Sequence, residues 1–336
     1  MWLFAGLMFA FASIVIFLII LTHIYISKAE IESLDKRYVF ITGCDTGFGN
    51  LLARTLDAKG VKVIAGCLTE KGSNDLKEVT SSRLKTVLID VTDKKSIKAA
   101  YEFTLEHTGN EGLWGLVNNA GIMPTFAPVE WTPVEDFEGA CKVNLFGTIS
   151  VSLQFLPLLR QSQGRLVNVS SVTSTCAYPG IANYVISKAG VKMFSTCLRR
   201  ELLNTGVTVH SIEPGGFKTN ITEQDRLINI LKKAYLRAEP ETREFYGGQI
   251  TTRIINGMKL SAKHVRGHPQ TVADAMTHAL VAKQPKLRYL VGTDAHLFFR
   301  LLSWLPEWIV DHIIGWPAPY GEVSRDFEEL HDLKNK

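Results

Sequence analysis

Seven short apolar runs rich in β-branched residues constrain this chain more than any other feature. They begin at Arg37, Val61, Lys85, Leu113, Gly164, Val207 and Leu287, and helix-length segments separate them. A brief continuous apolar run bounded by turn residues reads as a strand buried on both faces. Strand alternating with helix makes right-handed βαβ units, and these assemble into a parallel sheet covered on both sides. The expected fold is therefore α/β, a doubly wound parallel sheet of Rossmann type over residues 37–295. Between the sixth and seventh runs, residues 216–268 carry no strand signal but a helical pattern around 225–238. An insertion at the carboxyl end of such a sheet lies where the ligand binds, so this one reads as a helical substrate lid.

Residues 2–21 are almost entirely Leu, Ile, Val, Phe, Met and Ala, and the first charged side chain is Lys28. That length spans a bilayer, whereas a cleaved signal has a basic start and a shorter apolar stretch. The expectation is a transmembrane anchor over 1–27 and a charged linker over 28–36. Lys28, Lys36 and Arg37 follow the run, which by the positive-inside rule places the domain on the cytoplasmic face. The tail, 296–336, contains an apolar, Trp-rich stretch over 297–316 that Arg300, Pro306, Glu307 and Asp311 make too polar to span. It either lies on the bilayer or packs on the core.

The net charge of +4 comes without a basic stripe, which argues against nucleic acid as a partner. Five scattered cysteines with no C-x-x-C spacing suggest neither a disulfide framework nor a zinc site. His264 and His268 stand four apart with no carboxylate between them. No metal is expected.

After the first run comes Thr42-Gly-Cys-Asp-Thr-Gly-Phe-Gly49, followed by a helical segment from Asn50. Gly43, Gly47 and Gly49 permit a tight turn and close backbone approach, so a pyrophosphate can sit on the helix amino terminus. The spacing T-G-x-x-x-G-x-G, with Asp90-Val91, Asn118-Asn-Ala-Gly121, Asn144, Ser170-Ser171, Tyr184-x-x-x-Lys188, Pro214-Gly215 and Thr219 in that order, resembles the short-chain dehydrogenase/reductase family.

The resemblance covers residues 37–295 and implies a nicotinamide-dependent oxidoreductase. It implies that Gly43, Asp45, Thr46, Gly47, Phe48 and Gly49 form the phosphate turn, and that Cys67 ends the ribose-side strand. By the same resemblance Asp90 and Val91 lie beside the adenine, Asn118, Ala120 and Gly121 support the cofactor, and Pro214, Gly215 and Thr219 bracket the nicotinamide. The implied catalytic set is Asn144, Ser171, Tyr184 and Lys188. Lys188 would also bind the nicotinamide ribose, and the Asn144 backbone would hold a water linking that lysine to solvent.

Physically, a spacing of four puts Tyr184 and Lys188 on one helical face. A phenol of pKa about 10 needs a neighbouring ammonium to lower it toward neutrality, and Lys188 is placed to do so. A serine hydroxyl stabilises charge on the substrate oxygen. Adjacent residues of an extended strand face opposite ways, so one of Ser170 and Ser171 serves. Family spacing favours Ser171.

The second run ends without an acidic residue at the usual ribose position. Asp45 would nevertheless repel a 2′-phosphate, which favours NAD over NADP. Segments such as Ile-Thr-Gly-Cys-Asp-Thr-Gly-Phe-Gly-Asn and Glu-Pro-Gly-Gly-Phe-Lys-Thr-Asn are similar to those of microsomal retinol dehydrogenases and 17-beta- and 3-alpha-hydroxysteroid dehydrogenases. That subgroup implies a lipophilic alcohol or ketone as substrate, retinoid or steroid, and an endoplasmic reticulum membrane location. Family habit also implies a homodimer through the helices preceding and containing Tyr184. The rival reading, a silent lipid-binding scaffold, should lack a catalytic side chain, and none of the four is missing.

Overall fold

The computed structural model describes residues 29–315, apart from 220, 247–248 and 265–266. The anchor and the last part of the tail lie outside the described residues.

In chain order the elements are β1 (Tyr38–Thr42), α1 (Gly47–Ala58), β2 (Lys62–Cys67), α2 (Glu70–Glu78), β3 (Lys85–Leu88), α3 (Lys94–Thr108), β4 (Gly115–Asn118) and α4 (Val134–Cys141). A π-helical turn, Lys142–Gly147, joins α4 to α5 (Thr148–Ser162). Then come β5 (Arg165–Val169), α6 (Ala182–Glu201), β6 (Thr208–Pro214), α7 (Gln224–Arg237), α8 (Pro240–Tyr246), α9 (Gln249–His264), α10 (Gln270–Val281) and β7 (Arg288–Val291). A second π-turn, Ala295–Phe299, runs through Arg300–Leu302 toward α11 (Glu307–Ile314).

All seven apolar runs are strands, and they form one parallel sheet in the order β3-β2-β1-β4-β5-β6-β7. Alternation sorts their side chains to two faces. Val39 and Ile41 of β1 join one buried cluster with Leu52 and Leu56 of α1 and Met276 and Leu280 of α10. Phe40 points the other way, into a cluster with Ile97 of α3 and Phe155 and Leu159 of α5. Each fully buried side chain of this size contributes about 1.5–3 kcal/mol, so the two layers together dominate the stability. Start signals are local: Asp93 accepts from the amides of Lys95 and Ser96 at the head of α3, and Thr69 accepts from Gly72 at the head of α2.

The strand order reverses between β1 and β4. There the crossovers leave on opposite faces and a crevice opens at the carboxyl ends of the strands.

Two expectations change in detail. The linker is not a free tether within its described part. Ile31 N donates to Val281 O at 2.8 Å and Lys283 N to Ala29 O at 2.7 Å, an antiparallel pairing that fastens it ahead of β7. The insertion contains three helices, α7 to α9, and owns an apolar cluster of Leu231, Ala234, Tyr235, Ile250, Ile254 and Ile255 closed by Trp131. A separate small core explains why its sequence reads as amphipathic helix rather than as loop. The helical run Val134–Ser162 is long and apolar enough to cross a membrane by composition, but its α5 part packs Val151, Phe155 and Leu159 onto the sheet's second face.

Candidate active site

The glycine turn links β1 to α1. Gly43 and Gly47 have φ of +72° and +66°, a region only glycine enters freely. A Cβ on Gly49 would overlap Gly43 O and the Asn119 amide, so the helix can approach the turn only with glycine there. The Thr46 side chain does not cap α1, and its first turn holds no acidic residue. The amino-terminal amides of a twelve-residue helix are thus available to an anion, which fits a pyrophosphate. Asn119, overlooked in the sequence, holds this turn: its Nδ2 donates to Thr42 O at 2.9 Å and Gly43 O at 3.0 Å. Two asparagines stand in tandem, and no sequence signal says which faces the turn. Asn118 instead donates to Ser152 and Asn168, both at 2.8 Å, inside the layer beneath the crevice, and Asn168 continues to Ser195.

Asp45 leaves the glycine turn and closes on the end of β2. It accepts from Leu68 N at 2.8 Å, Thr69 N at 2.9 Å and Thr69 Oγ1 at 2.7 Å. Burial pushes the nearby Cys67 thiol up to about 12, with the Asp45 charge adding to the rise. A carboxylate from another loop therefore stands at the end of β2, where the β2 sequence has none. Asp90 is exposed and turns back on Thr92, while Val91 is buried against Gly147.

The catalytic candidates converge at the carboxyl end of β5. The π-turn carries Asn144, fully buried, whose Nδ2 donates to Ile122 O and Ser187 Oγ, each at 2.9 Å, while its Oδ1 accepts from Ile122 N at 2.8 Å. Such π-turns relax the backbone ladder and recur at functional sites. The Asn144 carbonyl accepts from Thr148 Oγ1 at 2.8 Å. A Cβ on Gly121 would lie 3.3 Å from both Asn144 Oδ1 and Lys188 Nζ, which measures how tightly the three meet.

On α6, Lys188 Nζ sits 5.8 Å from the Tyr184 ring centre and donates to Val169 O at 2.8 Å. The spacing of four does bring the pair together. The Ser171 hydroxyl lies close enough to the Tyr184 phenol to favour its charged form, and accepts from Thr173 N and Oγ1. Ser170 faces the other way and donates to Lys188 O at 2.8 Å. The alternation of the strand end thus separates the two serines, and only Ser171 reaches the tyrosine.

One expectation is corrected. Burial pushes Tyr184 up to about 12, with the nearby Ser171 hydroxyl opposing it, and burial drags Lys188 down to about 8. Desolvation penalises both charged forms. Lys188 stays charged below pH 8, but in the protein alone the burial of the phenol outweighs that neighbour and Tyr184 is not brought toward neutrality.

Behind this centre Glu213, fully buried on β6, accepts from Arg288 Nε at 2.6 Å and lies 3.7 Å from Lys192 Nζ. Both cations also donate to Thr175 Oγ1, at 3.1 and 2.5 Å. The network ties α6, β6 and β7 to the loop that follows Ser171. A cavity of about 650 Å³ opens on the other side, lined by Ile122, Met123 and Pro124 and by Asp225, Asn229 and Lys233 of α7. Among the described residues no cluster of metal-ligating side chains occurs, and His264 has no described side chain. Thr219, whose amide donates to Thr222 Oγ1 at 2.9 Å, follows the Pro214-Gly215 turn at the end of β6.

Residues 37–227 match the family model described as short chain dehydrogenase. The chain belongs to that family. It is accordingly an oxidoreductase that works with a nicotinamide cofactor. It is 46% identical over 296 residues to retinol dehydrogenase 7 of Rattus norvegicus, covering 88% of this chain and 93% of that protein. It is 45% identical over 301 residues to 17-beta-hydroxysteroid dehydrogenase type 6 of Homo sapiens, covering 89% and 95%. A short-chain dehydrogenase from Streptomyces avermitilis shares the fold at a TM-score of 0.63 and 23% identity, over 89% of this chain and 98% of that one.

Proposed function

We propose that this chain is an NAD-linked dehydrogenase of a lipophilic alcohol, retinoid or steroid, with Tyr184 as acid/base. The observation that carries the reading is the meeting of Ser171, Tyr184 and Lys188 at the end of β5, in a chain about 45% identical to retinol and hydroxysteroid dehydrogenases.

When bound, oxidised nicotinamide would supply the hydride acceptor for the carbinol carbon, and its positive charge would favour the phenolate form of Tyr184. Tyr184 takes the hydroxyl proton in oxidation and returns it in reduction. Ser171 donates to the substrate oxygen and stabilises the charge that develops there. Lys188, with Nζ beside the ring, holds the ribose hydroxyls and passes protons outward past Asn144. Gly43, Gly47 and Gly49 take the pyrophosphate, Asp90 and Val91 lie beside the adenine, and Asn118, Ala120 and Gly121 support the cofactor. Pro214, Gly215 and Thr219 border the nicotinamide, and α7 to α9 form the lid over the substrate.

NAD is favoured over NADP because three donors fix Asp45 at the end of β2, where a 2′-phosphate would meet its charge. The membrane reading rests on residues 2–21 and on the exposed Leu297, Leu301, Trp304 and Trp308. Helix α11 buries no residue, which favours lying on a bilayer over packing on the core. The linker pairing precedes edge strand β7 and this apolar segment follows it, so the β7 edge is the side turned to lipid. A homodimer through α4–α6 is supported by the exposed Phe146, Leu153, Ile186 and Met193.

Full-length protein in detergent, given NAD or NADP with all-trans-retinol, 9-cis-retinol, estradiol and androstanediol, tests the reading. Turnover with at least one alcohol, faster with NAD, is expected. Tyr184→Phe should abolish turnover and keep NADH binding. Near-normal turnover by that variant would overturn the acid/base assignment.

A further inference from the structure

Asp294 stands three residues beyond β7, and no sequence motif marks it. It occupies the N-cap position of the π-turn Ala295–Phe299, yet its side chain makes no cap there. The carboxylate reaches back across the sheet edge instead: Oδ2 accepts from Gly216 N at 2.6 Å, a charge-assisted hydrogen bond to the turn that leaves β6.

The surroundings are shaped around that carboxylate. A Cβ on Gly215 would overlap it, and a Cβ on Gly292, whose φ is +112°, would come within 2.5 Å of Oδ1. Gly215 N donates to Val291 O at 2.8 Å, so the turn is held on both sides of the amide that Asp294 accepts. The next residue, Phe217, is 2% exposed and meets Phe48 of the glycine turn edge-to-face at a centroid distance of 5.8 Å. Phe48 and Phe217 thus join the two strand-end turns that border the crevice. This contact and one carboxylate help set the position of the β6 turn relative to the glycine turn, beside the Gly215–Val291 bond and a bridge from Phe217 to Gly267.

We propose that Asp294 is a positioning residue for the nicotinamide end of the cofactor, fixing the Pro214–Phe217 turn at the depth the ring requires. The inference rests on the reading that this turn borders the nicotinamide. Asp294 touches neither hydride nor proton; it acts through the backbone of Gly215 and Gly216. The adenosine half lies at the other end of the crevice, on Asp45 and the β2 and β3 ends, and owes nothing to Asp294.

That asymmetry supplies a test that a general packing defect would not pass. NADH and ADP-ribose, which lacks the nicotinamide, are titrated against full-length wild-type, Asp294→Ala and Asp294→Asn protein, with KM for NAD measured in parallel. Asp294→Ala is expected to weaken NADH and raise KM for NAD about tenfold, the scale of one charge-assisted hydrogen bond, with ADP-ribose unchanged. Asp294→Asn keeps an acceptor oxygen and should stay within about threefold of wild type. Gly215→Ala, which displaces the carboxylate, should weaken NADH alone by a similar factor, and combining it with Asp294→Ala should add less than the product of the two effects. Equal weakening of both ligands, or no change in either, overturns the proposal. If wild-type protein binds ADP-ribose but not NADH, the nicotinamide reading of the turn fails first and takes this inference with it.

Discussion

Lys188 offers a measurement in which burial can be read directly as a pH slope. The side chain is 4% exposed, and burial lowers its pKa from the ordinary 10.5 to about 8. Because the folded value lies below the unfolded one, the unfolded chain holds more protons than the native protein between pH 8 and 10.5. Stability therefore rises with pH across that window. The cost of burying the charge is present in full below pH 8, where it approaches about 3 kcal/mol at 1.36 kcal/mol per pKa unit. Between pH 8 and 10 roughly 2 kcal/mol of it is relieved, which for a protein of this size corresponds to about 3 °C in Tm. Tyr184 runs the opposite way but later: its folded pKa of about 12 exceeds the ordinary 10, so its effect is loss of stability as pH rises from 10 to 12. Lys188→Met keeps the volume and removes the titration. It also leaves Val169 O without its donor, a loss of about 1–3 kcal/mol that is constant with pH. The slope, not the offset, is the observable. Thermal unfolding of nucleotide-free protein, followed by tryptophan fluorescence in detergent at pH 8, 9 and 10, should give a Tm difference, wild type minus variant, that grows by about 3 °C. Parallel Tm curves would mean that Lys188 is not desolvated, and the account of the pair would fall with it.

Other outcomes follow from the same geometry. Ser171→Ala should lower kcat by about a hundredfold or more, the usual effect of removing an oxyanion donor, and Ser170→Ala should act on Tm rather than on kcat. Steady-state kinetics on the two variants separate them, and the reverse pattern would exchange their roles. Asn119→Ala removes two hydrogen bonds from the glycine turn and should raise the NADH dissociation constant about tenfold or more, measured by fluorescence titration. Arg288→Met leaves Glu213 buried beside Lys192 alone and should cost about 3 kcal/mol in denaturant unfolding, less if water reaches the carboxylate.

Most of the fold was legible because parallel strands buried on both faces leave uninterrupted apolar runs, and each of the seven coincides with a strand within a few residues. The catalytic pair was legible for a similar reason: Tyr184 and Lys188 lie on one helix, where spacing fixes proximity. Long-range partners were not. Asp45 completes the end of β2 from a loop more than twenty residues earlier, and Asp294 holds a turn 78 positions upstream. Neither relation leaves a trace in local periodicity. The pairing of residues 29–31 with 281–283 was hidden by composition, since a charged linker carries no strand pattern, and Glu30 pairs with Lys59 of a distant helix end. The phenol's acidity was misjudged because proximity can be read from spacing, whereas desolvation depends on everything packed around the pair.

The fastening of Ala29–Ile31 onto the rigid body has a mechanical consequence. Residues 22–28 alone connect it to the apolar run that ends at Leu21, and fully stretched they reach about 25 Å. On the proposed reading, with that run in a bilayer, so short a leash would hold the body close to the surface, and its encounter with a lipid-dissolved alcohol would become a search across a surface instead of through a volume.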